Sequence, residues 1–116
     1  MKFRSGLEER LSNYLDKENV PYLYEVNKYE YTLTSSYTPD FFLPNGVIIE
    51  AKGFLKPSDR RKMIAVKKQH PELDIRFVFM RDNTLTRNSK TTYTDWATKN
   101  GFPSCIYPHL PESWLK

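Results

Sequence analysis

One cysteine, two histidines and four glycines among 116 residues leave several kinds of chemistry without the residues they need. Cys105 has no partner for an internal disulfide and no second thiolate for a zinc site. His70 falls at an expected helix stop before Pro71 and His109 lies between two prolines, so neither has ligand spacing. The glycines form no phosphate-cradling loop, and no nucleophilic triad is visible. No apolar run approaches the roughly 20 residues of a membrane span and no signal peptide opens the chain, which predicts a cytoplasmic protein. Internal repeats and low-complexity segments are missing as well.

The chain is long enough for one domain, 1–116, with a modest core. Eighteen Lys and Arg against fourteen Asp and Glu give a formal charge of +4 and a pI near 9.2. That balance suits an anionic partner, although so mild an excess also occurs in ordinary soluble proteins. Aromatics make up 15% of the chain, which predicts an aromatic-rich core that takes in Trp96 and Trp114.

Ser5-Gly6-Leu7-Glu8 reads as a capping box, and Leu7, Leu11, Tyr14 and Leu15 mark one face of a helix that stops near Asn19, before Pro21. Tyr22, Tyr24 and Val26 alternate as a strand, and so do Tyr29, Tyr31 and Leu33. Ser58, after Pro57, is the expected cap of a second helix reaching about Gln69. A buried strand follows at Ile75–Met80, then a loop over Arg81–Thr91, a helix at Thr92–Asn100 stopped by Gly101, and a short strand near Cys105–Tyr107. The order predicts an α/β fold, a mixed β-sheet flanked by helices.

The most informative stretch is Asp40-Phe-Phe-Leu-Pro-Asn-Gly-Val-Ile-Ile-Glu-Ala-Lys52. Val47-Ile48-Ile49 suits an interior strand, and Pro44-Asn45-Gly46 is a turn that folds Tyr37–Leu43 onto Val47–Lys52. A three-residue loop sets Leu43 against Val47 and therefore Asp40 against Glu50, with Lys52 on the same face as Glu50. Opposed carboxylates repel, and a hard divalent cation turns that repulsion into a binding site. A two-residue loop would move Asp40 to the Ala51 face and dissolve the site. The plainer alternative is an edge hairpin whose carboxylates face water and pair with Lys52.

Pro39-Asp40 followed by Glu50-Ala51-Lys52 resembles the PD-(D/E)xK nuclease motif, which alone is loose. Phe3-Arg4-Ser5-Gly6-Leu7-Glu8, Tyr37-Thr38-Pro39-Asp40-Phe41, Leu43-Pro44-Asn45-Gly46, Asp59-Arg60-Arg61-Lys62 and the run from Gln69 to Arg76 resemble the phage endonuclease I family of Holliday-junction-resolving enzymes. The similarity extends from Phe3 to the Leu-Pro-Glu-Ser-Trp-Leu of 110–115. It implies a restriction-endonuclease-like core and catalytic residues Glu8, Asp40, Glu50 and Lys52. It also implies magnesium, with manganese as a substitute, held by Asp40, Glu50, the Ala51 carbonyl and Glu8. Lys52 would then stand beside the attacking water. Glu8 has two readings, a capping-box partner or a metal ligand. The family carries a further acidic residue on the strand after the first helix. Alignment places Leu23 there, with Glu25 two residues on, and the role is assigned to neither.

Arg4, Lys56, Arg60, Arg61, Lys62, Lys67 and Lys68 are candidate phosphate contacts, since basic side chains give sequence-independent affinity for nucleic acid. A helix charged round its exposed face can equally be just solvated. The expected function is metal-dependent resolution of branched DNA by paired nicks, in a homodimer. The family's exchange of elements between subunits would run through Val26–Ser36, a segment shorter here and without the family's proline. Two alternatives remain, a restriction-like nuclease acting on linear duplex and a DNA-binding module without catalysis.

Overall fold

The computed structural model describes residues 3–31 and 35–116. Ser5 starts helix α1 (Gly6–Lys17) by accepting the Glu8 N–H on its Oγ at 3.1 Å. Leu7, Leu11 and Leu15, four residues apart, bury one stripe of the helix. It ends at Glu18, ahead of Asn19 in the left-handed region (φ 57°). The remaining elements are β1 (Leu23–Tyr24), β2 (Tyr29–Tyr31), β3 (Ser35–Tyr37), β4 (Phe41–Phe42), β5 (Val47–Lys52), α2 (Pro57–Gln69), β6 (Asp74–Phe79), α3 (Tyr93–Lys99) and β7 (Ser104–Ile106). A 3₁₀ turn follows at Glu112–Trp114.

Five strands form a mixed sheet in the order β1-β4-β5-β6-β7. The hairpin side, β1, β4 and β5, is antiparallel. The β5–β6 and β6–β7 pairs are parallel, and the parallel pairings need the crossovers that α2 and α3 supply. This is the α/β arrangement the element order predicts. Alternation along β5 sorts the core into two layers. Val47 and Ile49 pack with Leu11, Leu15, Phe41, Leu43 and Trp114 on the α1 side. Ile48 packs with Met63, Val66, Phe77, Phe79, Trp96 and Phe102 on the side of α2 and α3. The second layer holds a ring cluster, with Phe77 stacked on Phe79 at 5.4 Å and edge-on to Phe102 at 5.2 Å between centroids. Both tryptophans are buried, as the composition predicts.

Four boundaries differ from expectation, each for a local reason. The Tyr22–Val26 strand shrinks to two residues because Glu25 takes a positive φ of 51°, outside extended geometry. The Tyr37–Leu43 strand breaks at 38–40, where Pro39 has no N–H and the Asp40 N–H is taken by a side chain, Glu50 Oε2 at 3.0 Å. Ser58 does not cap α2. Pro57 occupies the first helical position, where a missing N–H costs nothing, and Lys56 takes the cap with its N–H donated to Asp59 Oδ2 at 3.1 Å. The 81–91 loop folds back, with the Leu85 N–H on the Thr91 carbonyl at 2.8 Å and a bridge between Thr84 and Thr92.

Over Val26–Ser36, β2 pairs antiparallel with β3 of the same chain, Tyr29 opposite Tyr37. Leu33, expected on the second strand, lies outside the described residues.

Candidate active site

The β4–β5 register sets Phe41 against Ile49 and Phe42 against Ile48. Gly46 (φ 90°) lets the turn close, with the Leu43 N–H on the Val47 carbonyl at 2.9 Å. One step further along the ladder Asp40 meets Glu50, the facing pair that a three-residue loop requires. Both are almost fully buried. The contact is tied through the backbone in both directions. Asp40 N–H donates to Glu50 Oε2, and Ala51 N–H donates to Asp40 Oδ2 at 2.9 Å. Burial, and then the facing Glu50, push the Asp40 carboxyl well above the ordinary carboxylate range. Burial raises Glu50 too, against the attraction of Lys52.

Glu50 is steadied by Tyr37, whose hydroxyl donates to Oε2 at 2.8 Å from a buried position. Burial and the Glu50 charge push that hydroxyl well above its usual range, so it remains a donor. Lys62 Nζ lies 5.8 Å from the Tyr37 ring centroid. Lys52 reaches Asp59 Oδ1 of α2 at 3.7 Å, while its charge also attracts Glu50 and Asp40.

Glu8 is also buried, although it belongs to α1. Its carboxylate does not complete a capping box on Ser5. Oε1 accepts the Arg4 N–H at 2.8 Å and the Tyr24 hydroxyl at 2.9 Å. Burial pushes the Tyr24 hydroxyl up to about 12, against an opposing hydrogen bond with Arg4. Glu8, Glu25 and Asp40 each bring a carboxylate oxygen within 4.8 Å of the others. The Arg4 guanidinium sits among them. Nη2 lies 3.1 Å from Glu8 Oε2 and 2.5 Å from Asp40 Oδ1, and Nε pairs with Glu25. Burial opposes that charge, but Tyr24 and the three carboxylates outweigh it and hold the guanidinium above its ordinary range.

A cavity of about 380 Å³ joins these groups, lined by Arg4, Glu25, Ser36, Thr38, Asp40, Glu50, Lys52 and Lys62. The other basic candidates spread along α2. Lys56, Arg61 and Lys68 are exposed. Arg60 donates to the Leu55 carbonyl at 2.9 Å. Lys67 donates to the Gly101 carbonyl at 3.2 Å and stands 5.0 Å from the Phe102 ring centroid, which gives it a structural task. Three site residues carried no assignment from sequence. Tyr24 and Tyr37 had no local signal beyond strand alternation. Glu25 was visible as an acidic residue near the expected place, but only the turn in its backbone aims it at Arg4.

Buried carboxylates on a β-hairpin share a polar cavity with a lysine, and a glutamate of α1 lies beside it; on this α/β fold the relatives of the chain make it a nuclease. The chain belongs to the phage endonuclease I family, whose model matches residues 1–116. It is 41% identical to Endonuclease I of Escherichia phage T7 over 118 aligned positions, covering 98% of this chain and 78% of that protein. It is 44% identical to Endodeoxyribonuclease 1 of Enterobacteria phage T3 over 103 positions, covering 85% and 68%. No helix among the described residues is long and apolar enough to cross a membrane.

Proposed function

We propose that this nuclease is a divalent-metal-dependent endodeoxyribonuclease that resolves branched DNA, four-way junctions in particular, by paired nicks. The observation that carries the reading is the pairing of buried Asp40 with buried Glu50, with Lys52 two residues on in the same cavity. Magnesium, or manganese in its place, fits this donor set. Hard dications prefer carboxylate oxygens, and the carboxylates already gather round a positive group, the Arg4 guanidinium. Asp40, Glu50, Glu8 and the Ala51 carbonyl would hold the ion, with Glu25 beside them. When bound, it supplies Lewis-acid polarisation of a phosphoryl oxygen.

The chain's own residues do the rest. Tyr37 and the Asp40 N–H fix Glu50, while the Ala51 N–H fixes Asp40. Lys52 stabilises negative charge developing at the phosphate or takes a proton from the attacking water. Lys62 at the cavity, with Lys56, Arg61 and Lys68 exposed along α2, gives a basic surface for the phosphate backbone. Junction preference then comes from shape and backbone contacts. Resolving a junction takes two opposed nicks, hence two sites and a homodimer. Such an enzyme would work in the cytoplasm of an infected cell.

The test is cleavage of a four-way junction against its own linear arms in one tube, with magnesium. Cutting of the junction alone supports the reading. Equal cutting of the arms favours a restriction-like nuclease, and binding without cleavage favours a DNA-binding module.

A further inference from the structure

The position of Arg4 has a consequence for cation binding. Three carboxylates converge to within 4.8 Å, and two of them, Glu8 and Asp40, are almost wholly shielded from water. Among the described residues, the positive group between them is the Arg4 side chain, itself 62% exposed. Its Nη2 bridges Glu8 and Asp40, and its Nε meets the buried Oε2 of Glu25. A single guanidinium against three carboxylates, when all are ionised, leaves two negative charges unbalanced. A dication would balance the cluster better, since hard cations favour carboxylate oxygens.

The guanidinium and a metal ion compete for the same carboxylates, and the guanidinium charge repels a dication placed beside it. We propose that Arg4 is the resident counter-cation of the metal site, and that a divalent ion binds by displacing its side chain. The inference rests on the metal-dependent reading above and adds a competitor built into the same chain. The backbone supports such a swing. The Arg4 N–H is anchored to Glu8 Oε1 at 2.8 Å and to the Tyr24 hydroxyl at 3.3 Å, so the main chain stays while the side chain leaves. Its exposure gives it a direct way out, and in the cavity it lines with Lys52 and Lys62 a phosphate would be its next partner. Arg4 therefore keeps the carboxylates assembled without metal and weakens metal binding by the free energy of its own contacts.

Two measurements on full-length protein without DNA test this. The first is calorimetric titration with Mn²⁺ of wild type and Arg4→Gln. Removing the competitor is expected to tighten Mn²⁺ binding about tenfold, the equivalent of one guanidinium–carboxylate network of modest net strength. Equal or weaker binding by a folded Arg4→Gln protein overturns the proposal alone. The second uses wild type only, and so does not depend on the variant folding. On titration with Mg²⁺, the Arg4 Nε–H resonance is expected to shift and begin exchanging with water as the Glu8 and Asp40 carboxyl carbons respond. An Nε–H that stays unchanged while those carbons saturate overturns the proposal. If wild type and Arg4→Gln both fail to bind Mn²⁺ and no carboxyl carbon responds to Mg²⁺, the metal-dependent reading falls and this proposal with it.

Discussion

Ser5 and Glu8, which could have shared one capping box, have separate tasks. Ser5 alone closes the start of α1, while Glu8 turns its carboxylate to Arg4 and Tyr24. Ser5→Ala is therefore expected to cost about 1 kcal/mol of stability and leave cleavage by the folded fraction nearly unchanged. Glu8→Gln is expected to change stability by no more than about 1 kcal/mol and to remove cleavage, and near-normal rates would make Glu8 structural after all. Glu50→Gln and Asp40→Asn keep the side-chain shape and should abolish cleavage with junction binding largely intact, as read by gel shift beside the cleavage assay. The same pair sets a pH dependence. Their carboxyls are raised in the folded chain, so the stabilisation is full below the ordinary carboxylate range, about pH 4, where both states hold the protons. It is lost as pH rises through the raised values, because the native state must ionise buried groups. Thermal unfolding in EDTA should show wild type losing stability relative to Asp40→Asn as the pH rises above about 4. A constant gap between the two would mean that Asp40 does not titrate in this way.

At the scale of elements, the β4–β5 turn holds the site together. A slip of one residue would put Asp40 opposite Ala51 and reverse every side chain of the strand. Two residues lock the register. Gly46 takes φ 90° in open space, so Gly46→Ala meets backbone strain but no clash and should cost about 1–2 kcal/mol. Asn45 accepts the Val47 N–H at 3.0 Å, while its amide donates to the Trp114 and Lys116 carbonyls at 3.0 and 2.9 Å. Asn45→Ala is expected to destabilise by about 1–3 kcal/mol and to loosen the C-terminal segment, which amide hydrogen exchange around Trp114 would report. Protection there equal to wild type would show that the burial of Trp114 holds the segment without the clamp.

At the scale of the molecule, the sheet keeps two apolar layers apart, and the polar cavity takes Arg4 from the segment ahead of α1 together with Lys62 from α2. Within a single chain Glu8 and Asp40 already share Arg4, so subunit exchange is not needed to bring them together. Mixing Glu8→Gln and Glu50→Gln chains decides whether a dimer exchanges them. With exchange a heterodimer has one intact and one doubly damaged site, so nicking of one strand should return, whereas sites closed within each chain leave two damaged sites and an inactive mixture. Return of nicking on one strand would show that each site draws on both subunits.

The residues near one another in sequence determined a good deal. Hydrophobic spacing and caps are short-range physics, and they placed α1, the end of α2, α3 and β6 to within a residue or so. The Pro44-Asn45-Gly46 signal narrowed the Asp40 register to two choices, one facing Glu50 and one facing Ala51, and the folded hairpin takes the first. Resemblance to a family supplied Glu8. What tertiary structure decided was where charge finds its partners. Lys52 turned to Asp59 of α2, Lys67 to the loop at Gly101, and Arg4 to three carboxylates from three separate segments. Glu25 entered the site through a single positive φ, and Tyr24 and Tyr37 became donors there because the fold sets their hydroxyls against Glu8 and Glu50. Apart from the Arg4–Glu8 pair, four residues apart, and Lys52–Asp59, seven apart, these contacts join segments distant in sequence, and each offsets the cost of desolvating charge with a partner that the fold brings near.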